Sequence, residues 1–138
     1  MTLRVYRVDA FTRDGRGGNP AGVVLAAAHL SDGVMQSVAA DLGYSETAFL
    51  VGRDGASFRI KFFAPKGEVA VCGHATVALF HALQQLEGFD GNATMRCGAG
   101  DLAVSIDASG EVFLAQSDPL IGERVAVEEL SESLGIKP

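Results

Sequence analysis

A chain of 138 residues, 48% hydrophobic and 20% charged, suits one globular unit with a core of its own. Its formal net charge of −6 works against nucleic acid or anionic lipid as partners, because both would repel the average surface. No apolar run approaches the ~20 residues of a membrane helix, and two cysteines are too few for a disulfide framework.

The N-terminus, MTLRVYRVDAF, alternates instead of forming a continuous apolar signal core, which leaves the cytoplasm as the expected compartment. Residues 3–11 read as a strand, with Leu3 and Val5 on one face and Tyr6, Val8 and Ala10 on the other. A glycine-rich loop (13–20) leads to AGVVLAA (21–27), short enough for a buried strand. Ser31 is placed to cap a helix that runs to Leu42, with Val34, Met35, Val38 and Leu42 on one stripe and Gly43 as its stop. SETAFLV (45–51) is strand-like, and Asp54-Gly55 marks a hairpin turn into SFRIKFF (57–63). In that second strand Phe58, Ile60 and Phe62 alternate with Arg59 and Lys61.

Between Ala75 and Leu86 apolar residues cover nearly every face of a helical stretch, the pattern of a buried helix. Short strands at 93–97, 101–106 and 111–115 and a helix at 125–135, ending at Gly135, complete the chain. Strands outnumber helices and hairpin spacings dominate. The expectation is an α+β fold: one unit over 1–138, a mostly antiparallel curved sheet wrapped around a buried central helix.

The chemistry-bearing residues gather at the start of that helix. Cys72, Gly73 and His74 stand where unpaired N–H groups and a partial positive charge make a seat for an anion. Gly73 admits close backbone approach, His74 is able to hold or move a proton near neutral pH, and a helix start favours a Cys72 thiolate. The plain alternatives are a capping or gap-filling histidine and an inert buried thiol. Glu46, in an apolar neighbourhood after the Gly43 stop, is a proton carrier if it points inward, where desolvation raises its pKa. It is an ordinary edge-strand carboxylate if it points out. His74 and His81, seven residues apart, miss the i,i+4 spacing of a zinc helix, so no metal site is expected. The 13–20 loop lacks the lysine and hydroxyl of a phosphate loop.

Taken together, VDAFT, GNPAGVV, MQSVAADLGYSETAFLV, FRIKFFAPKGEV and CGHATVALFHAL resemble the N-terminal half of PhzF-like phenazine-biosynthesis proteins, which share the diaminopimelate epimerase fold. The resemblance implies a lobe of a two-lobed protein with its active site in the cleft between the lobes. It implies an isomerase or epimerase that moves a proton on a small carboxylate-bearing substrate with no cofactor. It makes Glu46 the catalytic proton shuttle and Gly73 and His74 substrate-binding residues, which Ser45 joins as the neighbour of Glu46. Cys72 stands where related epimerases carry one of two catalytic thiols, and is a candidate catalytic thiol on that ground. Because members of that family are about twice as long, a homodimer or a complex with a second lobe is expected. A catalytically incompetent lobe that binds a carboxylate or a partner is the alternative.

Overall fold

The computed structural model describes residues 2–137. Eight strands form one curved sheet: β1 (Tyr6–Ala10), β2 (Asn19–Val24), β3 (Thr47–Asp54), β4 (Ser57–Ala64), β5 (Gly67–Val69), β6 (Gly91–Cys97), β7 (Gly100–Ile106) and β8 (Val112–Leu114). The order across the sheet is β1-β2-β3-β4-β6-β7-β8. One edge of β4 takes β3, and the other is shared by β5 at Phe62–Ala64 and β6 at Ser57–Arg59. The β2–β3 and β4–β6 pairings are parallel and the remaining pairings antiparallel. The sheet is therefore mixed, with the expected antiparallel majority.

Alternation along the strands sorts two cores onto opposite faces. Phe58, Ile60 and Phe62 turn to one face with Val23, Ala48 and Leu50, where helix α2 (Gly73–Glu87) supplies Ala75, Ala78, Leu79, Phe80 and Leu83. Phe58 and Phe80 meet edge to face with ring centroids 5.3 Å apart, a pair worth about 0.5–1.5 kcal/mol beyond its buried area. On the other face, Val24, Phe49 and Phe63 pack against Met35 and Ala39 of helix α1 (Asp32–Leu42). The N-terminal segment divides as its pattern predicts: Tyr6 and Val8 pack on the α2 side, Leu3 and Val5 on the α1 side, although only Tyr6–Ala10 are strand.

Both ends of α1 follow the sequence. Ser31 accepts from the Val34 N–H at 3.3 Å, and Gly43 at φ 68° returns its N–H to the Ala39 carbonyl. The predicted stripe shifts, however: Met35 and Ala39 are its buried positions, while Val34 is exposed. Helix α2 likewise stops at Gly88, φ 69°. It is not covered all round. Leu86 and His81 are exposed, and Val77, Ala78 and His81 floor a cleft of about 430 Å³ between residues 8–12 of the β1 edge and 110–113 of the β8 edge. A bulk apolar count does not reveal this open stripe, because half-buried Val77 counts as core and stands on it beside exposed His81.

Strand β5 escapes sequence reading, since Pro65 and Gly67 look like a break and the strand is only three residues long. Helix α3 (Val127–Leu134) ends at Gly135 as expected. Its apolar residues Val127, Leu130 and Leu134 are exposed, as are Leu120 and Ile121 before it. None of the described helices is long and apolar enough to cross a membrane.

Candidate active site

Three pieces of chain converge at the N-terminus of α2. Strands β2 and β3 run parallel, and the Gly22 N–H donates to the Glu46 carbonyl at 3.3 Å, so the start of β3 is tied to its neighbour one residue ahead of its first ladder pair. Ser45 and Glu46 thus lie in the lead-in to the strand, which begins at Thr47. Their side chains face α2, whose first residue is Gly73 and whose N-cap is Cys72 in extended conformation, φ −141°. The segment before the cap is held by the β6–β7 turn, where the Ala99 N–H donates to the Ala70 carbonyl.

His74 is the hub. Its Nε2 lies 3.3 Å from Ser45 Oγ and 3.6 Å from Glu46 Oε2, and its Nδ1 lies 3.2 Å from Cys72 Sγ. The His74 side chain is 10% exposed and that of Glu46 23%, so the inward orientation of Glu46 is the one found. All four polar residues singled out from the sequence, Ser45, Glu46, Cys72 and His74, therefore meet around one imidazole. Gly73 adds open space: nothing lies within 4 Å of the position a Cβ would take.

Of the two readings of Cys72, the buried thiol fits the structure and the thiolate does not. Burial is the main cause, with a further push from the Glu46 carboxylate, and together they raise its pKa from 9.0 to about 11. The backbone N–H groups of Ala75 and His74 oppose this and are outweighed. At neutral pH the sulfur is a thiol with one hydrogen to give and two acceptors within reach, His74 Nδ1 and the Glu46 carboxylate. When Nδ1 accepts it, the neutral ring carries its own hydrogen on Nε2, aimed at Ser45 and Glu46. The helix-end effect that favours thiolate is real but smaller than desolvation here.

Thr76 is a positioning residue that spacing does not flag. Its Oγ1 donates to the Cys72 carbonyl at 2.7 Å and its N–H to the same oxygen at 3.0 Å, fixing the residue that carries the thiol. The only hint in CGHAT is a threonine four residues after a candidate cap, a spacing at which a hydroxyl reaches back to the i−4 carbonyl. Glu46, Cys72 and His74 also offer one donor atom each within 4.8 Å of one another.

A family model for phenazine biosynthesis-like proteins, PhzC-PhzF, matches residues 8–135, nearly the whole chain. The chain belongs to the PhzC-PhzF phenazine biosynthesis-like family. Among PhzF-like relatives, the uncharacterized isomerase YddE of Escherichia coli (strain K12) is 48% identical over 95 residues, covering 69% of this chain and 32% of that protein. The uncharacterized isomerase PA3578 of Pseudomonas aeruginosa is 38% identical over 146 aligned positions, which take in all of this chain and 52% of that protein. The crystal structure of a PhzF-family phenazine biosynthesis protein from Enterococcus faecalis superposes with a TM-score of 0.72 at 35% identity, over 78% of this chain and 42% of that one. The chain thus spans about half the length, or less, of the PhzF-like proteins it matches.

Proposed function

We propose that this chain is one lobe of a cofactor-independent PhzF-like isomerase or epimerase acting on a small carboxylate-bearing substrate. In this reading Glu46 is the proton carrier. Its carboxylate takes a proton from an acidic carbon of the substrate and returns it to another carbon, so no net proton is gained or lost; for an epimerisation the companion supplies the acid on the opposite face. The N–H groups at the start of α2 and the His74 Nε2–H receive the negative charge of the substrate's carboxylate and of the carbanionic intermediate. Ser45 holds the imidazole, and Gly73 leaves the helix end open for the substrate. The protonated thiol of Cys72 orders the ring; it does not act as a thiolate base. One observation carries the proposal: an inward carboxylate 3.6 Å from a nearly buried imidazole at a helix N-terminus, in a chain of this family.

The reaction requires a companion. Matching relatives are about twice as long, and the exposed side of α2, the cleft beside it and the apolar residues of α3 are surfaces that a second lobe or a second copy would cover. We read α2 as the central rod of the lobe, with its open stripe turned to that companion. A homodimer, or a pair with a separately supplied lobe, burying about 1,600 Å² in total is the assembly this requires.

The test is solvent deuterium exchange. Wild-type protein, with a matching lobe supplied where needed, incorporates deuterium into a carboxylate-bearing substrate, and Glu46→Gln lowers the rate by about 100-fold or more. Absence of exchange across a panel of amino- and hydroxy-acids, with the assembled dimer present, defeats the proposal. The half-length match favours one other reading, a lobe that binds a carboxylate without turning it over. That reading predicts ligand-induced thermal stabilisation that Glu46→Gln leaves unchanged.

A further inference from the structure

We infer that Glu46, Cys72 and His74 form a reversible binding site for a thiophilic divalent cation, Zn²⁺ in the first instance, and that this cation acts as an inhibitor of the lobe. The binding rests on the donor set alone, and the inhibition rests on the proposed reaction, whose residues it shares. A sulfur, an imidazole nitrogen and a carboxylate oxygen lie within 4.8 Å of one another, all on half-buried side chains. Four-coordinate zinc with bonds of about 2.0–2.3 Å places its ligand atoms about 3.3–3.8 Å apart. Cys72 Sγ lies 3.2 Å from His74 Nδ1, and Glu46 Oε2 lies 3.6 Å from the other ring nitrogen, Nε2. The cation takes one ring nitrogen, so the set closes when the side chain on the other nitrogen swings round to it and the widest separation, 4.8 Å at most, contracts by about 1 Å.

Three protein ligands leave the fourth position to water or to a substrate oxygen. The donor types select the metal: a thiolate and an imidazole favour zinc, cobalt or copper over magnesium and calcium. Charge balance supports binding, since a thiolate and a carboxylate together cancel the cation. The sulfur must first lose its proton, which leaves to solvent as the metal–sulfur bond forms. The titratable groups that the sulfur meets are Glu46 from the β3 side and His74 on α2, and the N–H groups of His74 and Ala75 stabilise the thiolate once formed. Bound zinc ties up the Glu46 carboxylate and the His74 ring together, which is why binding means inhibition.

Cobalt(II) is the probe, added to the 138-residue chain at pH 8. The expected result is one Co²⁺ per chain, a near-ultraviolet sulfur-to-cobalt charge-transfer band, visible bands of four-coordinate cobalt, and loss of all of them when Zn²⁺ is added. Cys72→Ser abolishes the charge-transfer band, Cys97→Ser retains it, and Glu46→Gln keeps the band while weakening binding about tenfold or more. Circular dichroism confirms that each variant is folded. No charge-transfer band from folded wild-type protein at millimolar Co²⁺, or a band that survives Cys72→Ser, overturns the inference. The optical readout is independent of turnover: absent deuterium exchange with cobalt binding intact removes the isomerase reading alone, and the reverse result removes the metal site alone.

Discussion

Gly22 and Thr47 face each other across the parallel β2–β3 pair so closely that a Cβ on residue 22 would stand 2.7 Å from Thr47 Oγ1 and 2.9 Å from its Cγ2, with Leu42 Cδ1 at 3.1 Å. Thr47, fully buried, has no easy retreat, although the half-buried tip of Leu42 can give way. Gly22 also donates its N–H to the Glu46 carbonyl. Gly22→Ala should therefore destabilise the protein by about 1–3 kcal/mol, the usual cost of overpacking, and should shift Glu46 relative to His74. Urea unfolding measures the first effect. A drop in exchange rate exceeding the loss of folded protein measures the second.

Thr47 itself makes the opposite prediction. Its hydroxyl is buried without a hydrogen-bond partner, an arrangement that costs about 1–3 kcal/mol. Thr47→Val replaces that oxygen with a methyl group of similar size, and should raise stability by about 1 kcal/mol. A thermal midpoint that falls on substitution would mean that the hydroxyl has a partner after all.

Gly73 separates binding from folding. It is the first residue of α2, its φ is not in the left-handed region, and a Cβ would meet nothing within 4 Å. Gly73→Ala should be neutral or stabilising, by up to about 1 kcal/mol, because alanine loses less conformational freedom in a helix. If ligand backbone contact is what position 73 provides, the same variant weakens substrate binding while its melting temperature holds. Equal loss of both would assign the glycine a structural role.

These sites differ in how far the sequence announces them. The caps of α1 and the alternation of Phe58, Ile60 and Phe62 are local patterns, set within a few residues, and they appear in the structure where the chain places them. The meeting of Ser45 with His74 is a contact across 29 positions. It became legible only through motifs that resemble a family, since no periodicity links a strand's lead-in to a distant helix start. The exposed stripe on α2 and the short β5 were hidden for a different reason. Both depend on which neighbours the folded chain supplies, a quantity that apolar counts and turn residues do not contain.

Cys72 illustrates the same limit in its electrostatics, and it carries a pH prediction. Sequence position at a helix start argues for a depressed thiol pKa, whereas burial beside Glu46 raises it from 9.0 to about 11. A pKa higher in the folded chain than in the unfolded one gives stability that is fully present below pH 9 and is lost as pH rises through 11. Two units correspond to about 2.7 kcal/mol, and solvent access to a half-buried sulfur reduces this to about 1–2 kcal/mol. The difference in unfolding free energy between wild type and Cys72→Ala should therefore shrink by that amount between pH 8.5 and 11, cancelling the common titration of lysines and tyrosines. Iodoacetamide provides the kinetic counterpart, because only the thiolate reacts. Alkylation of Cys72 at pH 8, followed by mass spectrometry with Cys97→Ser as background, should be at least tenfold slower than that of an unfolded control, and Glu46→Gln should speed it by removing the carboxylate's repulsion of the thiolate. Rapid labelling at pH 7 would instead place a thiolate at the helix start and restore Cys72 as a base for the proton transfer.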